Sequence, residues 1–466
     1  MIKLPGFIDS HLHMLGLGYT KSNIDLVNTR SREGIISLLK KDKAKKIIIG
    51  RGWNQENFTD KKFLTKTDLN KVSDIIPVIA IRVCGHVVVV NDALLKLVKI
   101  DSSTKQIKGG SFNYNTGIFS EKSIQLIYNS LPTPSRDDLK KYFIKANNIL
   151  LKNGITSVAS DDFSIFPIPY EEVISVINEL YSKELLQVKI TEQVNLSIED
   201  LKEFIKKGYV NKRFNKFKLG PLKIIADGSL GGKTAKLSKP YEDEPLNSGI
   251  NLYNDDSLFQ KIFLADNNKM DVVIHAIGDL AANQAINAIV KSLKISKRQN
   301  HHHAIIHAQL LTKSQMELMK KWKIGVIVQP IFLNTDISFI KSRIGSRYTK
   351  SYLFKTMYDL GLKVGFSTDS PIEPVNPFYN IYTAVYRKSI KDKNIQPFLK
   401  KESFDLIKAL ECYTINNLHY IYEDKLKKED YIIIDKPLLK TNLLDIQVLK
   451  TYIDGKLVYK KDIILD

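Results

Sequence analysis

Eight segments of the chain share one pattern: a short apolar run without alternation, closed by polar or charged residues. They are LPGFIDSHLH (4–13), NGITSVASDD (153–162), LQVKITEQV (186–194), GPLKIIADGS (220–229), MDVVIHAIGD (270–279), HAIIHAQ (303–309), KIGVIVQP (323–330) and LKVGFSTDSP (362–371). Such runs fit strands buried on both faces, as in a parallel sheet. Helical patterns lie between several of them. After Asp279, the residues Ile286, Ile289, Val290 and Leu293 recur at i, i+3, i+4 and i+7, which predicts one apolar helix face. Strand–helix alternation predicts a parallel α/β architecture. Eight strands predict a (β/α)8 TIM barrel, with its site at the C-terminal strand ends.

Two regions lie outside that repeat. About 140 residues separate the first run from the second, and they hold the further apolar runs 45–53 and 75–91. They predict an inserted α/β subdomain after the first barrel strand. The tail, 431–438 and 446–460, reads as strands with a hairpin turn at Asp454–Gly455. The expected division is a barrel over 1–420, with its insertion at about 45–135, and C-terminal strands of a small β-sandwich over 421–466.

Composition narrows the function classes. Hydrophobic residues make up 43% and charged residues 26% of the 466, a globular balance that excludes wholesale disorder. The longest apolar stretch, Ile75 to Val90, is interrupted by Arg82 and His86, so no membrane span is expected. The N-terminus has Pro5, Asp9 and two histidines where a signal peptide needs an apolar core. Cys84 and Cys412, the two cysteines, are too far apart in sequence for a metal knuckle. Both features predict a cytoplasmic protein. The formal charge of +20 is spread over scattered lysines without a nucleic-acid-binding motif, so it reads as solvated surface, with no nucleic-acid partner.

The chemistry sits where the runs end. His11 and His13 form an HxH pair, and a strand points i and i+2 to one side. His275 and His307 end two later runs, and Asp369 ends the last. Imidazole nitrogens with a carboxylate suit Zn²⁺ or a similar divalent ion. Lys223 falls inside its run, where an ammonium is costly unless paired. It is either paired with a carboxylate such as Asp227 or, after reaction with CO2, is a carbamate able to bridge two metals. The cluster His301–His303 reads as surface or supporting residues, not as a second metal site.

These residues resemble the amidohydrolase superfamily, in its amidohydrolase-3, YtcJ-like branch, over nearly the whole chain. PGFIDSHLH resembles the family's first-strand HxH motif, and LKIIADGSLGGKTAKL (222–237) its DGSLG segment. IHAIGDLAANQAI (274–286), HAQL (307–310) and FSTDSPIEPVNPF (366–378) resemble its fifth-, sixth- and eighth-strand motifs. RVCGHVVVVNDALL (82–95) resembles an insertion motif.

The resemblance implies that His11, His13, Asp369 and a Lys223 carbamate bind one Zn²⁺-like ion. Lys223, His275 and His307 would bind a second, so one or two ions per chain are expected. Asp369 would also be the catalytic proton shuttle. His86, Arg82, Trp53, Glu121 and Asp279 are implied as substrate-binding candidates. The chain departs from the branch in starting almost at the HxH motif, which leaves half of the sandwich absent or upstream. It also has Ile306 before the sixth-strand histidine, and 422–435 lacks the usual Gly-x-Ala-Asp form. The expected activity is hydrolysis of a non-peptide, amide-type carbon–nitrogen bond in a small molecule by metal-activated water, with oligomerisation left open. The alternative is a non-catalytic regulatory or binding protein on the same scaffold.

Overall fold

The computed structural model describes residues 2–42, 46–82, 87–107, 110–121, 123–392 and 395–462. The chain forms two compact units, residues 1–17 with 136–466, and residues 18–135.

All eight runs become strands of the larger unit: β1 (Phe7–Leu12), β2 (Ile155–Ser160), β3 (Lys189–Val194), β4 (Phe217–Ile225), β5 (Val272–Ala276), β6 (Ala304–His307), β7 (Gly325–Val328) and β8 (Val364–Phe366). They pair in chain order, each parallel to the next, as a nearly closed (β/α)8 barrel. Helices alternate with them. The helix Asp279–Ser296 buries Ile286, Ile289, Val290 and Leu293, the face its spacing predicts. One continuous core of strand and helix residues fills the unit, including Val158, Ile274, Ile305 and Val326.

Among the described residues β1 and β8 share no ladder. Side chains stitch the seam instead. Ser10 Oγ donates to Phe366 O at 2.9 Å, and Asn417 Nδ2 donates to Ile8 O at 2.6 Å and Phe366 O at 2.7 Å. Higher up, the Asp9 carboxylate accepts from Thr368 N at 3.1 Å and Thr368 Oγ1 at 2.7 Å. The backbone completes the join, Asp369 N to His11 O at 3.0 Å and His13 N to Ser370 O at 2.9 Å. Every buried backbone group needs a partner, and here one strand of the pair is only three residues long.

A four-stranded antiparallel sheet is attached to the outside of the barrel. Tyr431–Ile434, Val448–Ile453 and Lys456–Lys460 arise from the tail, and Ile2–Pro5 adds the fourth strand beside Tyr431–Ile434. Asp454 and Gly455 both have positive φ, 50° and 75°, as a two-residue hairpin turn requires. The helix Arg136–Lys152 meets this sheet through Thr451, whose Oγ1 donates to Leu151 O at 2.7 Å.

The smaller unit is an α/β subdomain that begins at residue 18, earlier than the insertion expected at about 45–135. Its six-stranded sheet runs Ile24–Asp25, Ile48–Trp53, Val78–Arg82, Val87–Val90, Ile118–Glu121, Gly110–Asn113. Alternation along the strands feeds two cores. Ile48, Val78, Ala80 and Val89 pack on one face, and Ile79, Ile81, Val88 and Val90 on the other.

Candidate metal centre

His11 and His13 stand at the C-terminal end of β1, with Asp369 three residues past the end of β8. The seam holds these two strand ends side by side. His11 Nε2 and His13 Nε2 each lie 3.2 Å from Asp369 Oδ1. Lys223, on β4, places Nζ 3.1 Å from His11 Nε2. His275 from β5 and His307 from β6 complete the cluster, with ring centroids 4.4 Å apart and His307 5.9 Å from His11. The six expected ligands therefore converge at the C-terminal ends of five strands, where barrel sites lie.

The contacts at Asp369 are not hydrogen bonds. Its Oδ1 is buried and has no hydrogen-bond partner, although two imidazole nitrogens face it. A buried oxygen left in this way needs an explanation. Donor atoms of His11, His13 and Asp369 lie within 4.8 Å of one another. Ligands about 2.0–2.1 Å from a tetrahedral ion stand roughly 3.3–3.4 Å apart, close to the 3.2 Å spacings here. The donor set fits a divalent cation.

The far nitrogen of each imidazole is already committed. His11 Nδ1 donates to Gln193 Oε1 at 2.6 Å, and Gln193 Nε2 donates to Ser10 O at 3.0 Å, which fixes the amide. His307 Nδ1 donates to Gln329 Oε1 at 2.8 Å, and Gln329 Nε2 donates to Ser367 Oγ at 2.7 Å. His13 Nδ1 donates to Asp161 O at 2.8 Å. In all three Nε2 therefore faces the centre, where His11 Nε2 also accepts from Lys223 Nζ at 3.1 Å. His275 is the reverse: Nε2 donates to Gly228 O at 3.1 Å, so its lone pair is on Nδ1. Partners of this kind set ligand tautomer and orientation. Two site residues also carry left-handed backbone, His307 at φ 73° and Asp369 at φ 55°. Such non-glycine φ values cost about 1–3 kcal/mol each and gather at functional sites.

The electrostatics keep three of the four imidazoles neutral and Asp369 anionic. Burial, helped by Lys223, holds the His11 imidazole down to about 4 and that of His275 to about 3. Burial and then His275 push His307 well below its ordinary value. Burial also lowers the Lys223 ammonium, against the pull of Asp161 and Asp369. Burial would raise the Asp369 carboxyl, but His11 and His13 hold it well below the usual carboxylate range. Burial would likewise lower His13, yet Asp369 and Asp161 lift it to about 9. The anion at Asp369 thus draws positive charge into the site, from a proton or from an ion.

The two readings of Lys223 separate at Asp227. Asp227 accepts from Lys236 N, Ile277 N and Gly278 N at 2.8–3.0 Å, and so ties the loop after β4 to the end of β5. Among the described residues no carboxylate lies within ion-pair distance of Lys223, which is 2% exposed.

The substrate-binding candidates have other surroundings. Asp279, at the start of its helix, accepts from Ser238 N at 2.9 Å and from Ser238 Oγ. In the smaller unit Trp53 is fully buried, with Phe58 and Phe63 against it. Arg82 donates to Gln55 Oε1 at 2.8 Å and Asn54 Oδ1 at 3.1 Å. Glu121 ends the strand Ile118–Glu121, but its side chain, like all of His86, lies outside the described residues.

Sequence reading alone did not single out Gln193, Gln329 or Asp9. Each glutamine is a polar residue at a strand end, which was the available signal. Asp9 bridges His11 N at 3.2 Å to Thr368, and burial lifts its carboxyl to about 7.

The amidohydrolase family model matches residues 2–459. The chain is 31% identical to a putative amidohydrolase, YtcJ, of Bacillus subtilis, over 99% of this chain and 89% of that one. It is 20% identical to an N-substituted formamide deformylase of Arthrobacter pascens, over 98% and 88%. A crystal structure of an uncharacterized metal-dependent hydrolase from Pyrococcus horikoshii superposes with a TM-score of 0.79 at 31% identity, covering 93% of this chain and 86% of that one. The chain belongs to the amidohydrolase family.

Proposed function

We propose that this protein is a metal-dependent hydrolase that cleaves a non-peptide, amide-type carbon–nitrogen bond of a small molecule with water. The observation that carries this is the convergence of His11 Nε2, His13 Nε2 and Asp369 Oδ1 at 3.2 Å without hydrogen bonding. The named activity of the formamide deformylase relative supports the bond type.

His11, His13 and Asp369 would hold one ion of zinc type, and His275 and His307 a second. Such an ion, when bound, supplies Lewis acidity that polarises a carbonyl and makes water acidic near neutral pH. Lys223 would help to hold both ions once its amine nitrogen had attacked CO2 and lost a proton, giving an anionic carbamate. Its lack of a carboxylate partner supports that reading, because neutralisation removes the cost of a buried ammonium. Asp369 takes the proton of the attacking water and hands it to the leaving nitrogen, acting as base and then acid. Gln193 and Gln329 keep the imidazoles in the ligating tautomer.

Among the described residues no helix is long and apolar enough to cross a membrane. With Cys412 buried and free, a reducing cytoplasm is the compartment we assign.

Elemental analysis of purified protein tests the reading. About two zinc-like ions per chain, with turnover on amide substrates, is the expected result. A protein that takes up no ion after reconstitution with metal and bicarbonate overturns it.

A further inference from the structure

A cavity lies at the end of the barrel opposite the candidate metal centre. It has a volume of about 150 Å³, below the ~300–1,000 Å³ of sites for drug-sized ligands. Its walls come from the N-terminal ends of β1 to β4, at Gly6, Ile8, Thr156 and Thr191, and from the linker at 418–430. This face of such barrels ordinarily serves stability.

Its charge is unbalanced. Six cations line it: Lys189, Arg213, Lys216, Lys218, Lys425 and Lys427. Three carboxylates oppose them, Glu423, Asp430 and Asp454. Asp454 is shared by three lysines, with Lys216 at 2.8 Å, Lys189 at 2.9 Å and Lys427 at 3.8 Å. Glu423 is shared by Lys218 and by Arg213 at 3.2 Å. Lys425 is exposed and, among the described residues, has no carboxylate within ion-pair distance. Burial lowers the Lys218 ammonium even with Glu423 beside it. Cations drawn from three chain segments into one small cavity repel one another, and a multivalent oxyanion offsets that repulsion with charge-assisted hydrogen bonds. Ile8, Leu418 and Leu426 add an apolar wall for a short organic portion.

We propose that this cavity is a binding site for a phosphate-class oxyanion, either free phosphate or the phosphate group of a small ester, separate from the metal centre and independent of the hydrolase reading. The test is calorimetric titration of metal-loaded, full-length protein with inorganic phosphate and with glycerol 3-phosphate, against chloride of matched ionic strength. Lys425→Glu combined with Lys427→Glu should weaken binding roughly tenfold or more. Asp454→Asn, an asparagine at a left-handed turn position it tolerates, should tighten binding severalfold, an effect that loss of a merely structural contact would not produce. Tighter binding of the ester assigns the site to esterified phosphate, and equal or weaker binding to the free ion. Phosphate lodged only at the metal centre would bind wild type and variants equally, and that result overturns the proposal, as does a response that chloride reproduces.

Discussion

Strand β6 is bracketed by two histidines with opposite fates. His303 precedes it and His307 ends it, and both are buried. His303 has both ring nitrogens occupied: Nδ1 accepts from Val272 N at 3.0 Å and Nε2 donates to Asp266 Oδ1 at 3.1 Å. Arg298 backs the same carboxylate at 3.0 Å. His307 has one nitrogen tied to Gln329 and the other aimed, unpaired, at a cluster of other histidines. A satisfied imidazole locks loops together, whereas a half-satisfied one is a ligand in waiting. Residue type and burial do not tell the two apart; the second nitrogen does.

The sharpest way to break that contrast is at the reactive end. Asp369→Asn should lower turnover by about 10²–10⁴-fold with the melting temperature nearly unchanged, since no hydrogen bond to Oδ1 is lost. Steady-state kinetics beside thermal unfolding checks this, and wild-type-like rates would remove Asp369 from proton transfer. Next come the glutamines. Gln193→Leu or Gln329→Leu should weaken metal binding about 10–100-fold by freeing the imidazole tautomer, as read by competition with a chelating dye. Unchanged affinity in both would mean that the strands alone orient the rings.

His303→Ala should do the reverse of Asp369→Asn. It should cost about 1–3 kcal/mol of stability, because it strands Val272 N and removes one of the donors to Asp266, while metal content per folded molecule stays the same. Loss of metal there would erase the distinction drawn above. The smallest effect concerns His301, stacked on His303 with ring centroids 4.5 Å apart. Burial and the neighbouring His303 hold its imidazole down to about 4. The unfolded chain takes up that proton near the ordinary ~6.5, so stability falls as pH drops from ~6.5 toward 4. His301→Asn should remove on the order of 1 kcal/mol of that fall between pH 6.5 and 5 in urea titrations. An equally steep fall in the variant would rule His301 out as its source.

Much of this was legible in the sequence. The eight barrel strands announce themselves because a strand covered on both faces needs an unbroken apolar run, and VVIH and AIIH end in their candidate ligand. The histidines and Asp369 are conspicuous for the same reason, as polar residues where apolar runs stop. The strand Ile2–Pro5 is not legible. It is four residues long, alternates only between half-buried and exposed positions, and finds its partner at Tyr431–Ile434. The glutamines are not legible either, because a neutral amide carries no charge to explain, and its role lies in which atom faces the ring. Composition likewise could not show that scattered lysines in the 189–218 and 425–427 stretches meet in one cavity.

The seam has a consequence in time. His11 and His13 are made early, while Asp369 and Asn417, which fasten β8 beside them, follow 356 or more residues later. At ~5–20 residues per second, the first half of the metal centre waits on the order of tens of seconds for its second half to leave the ribosome. The proposed metal centre can therefore be completed only late in synthesis, and a chain stopped before residue 369 lacks one of its proposed ligands.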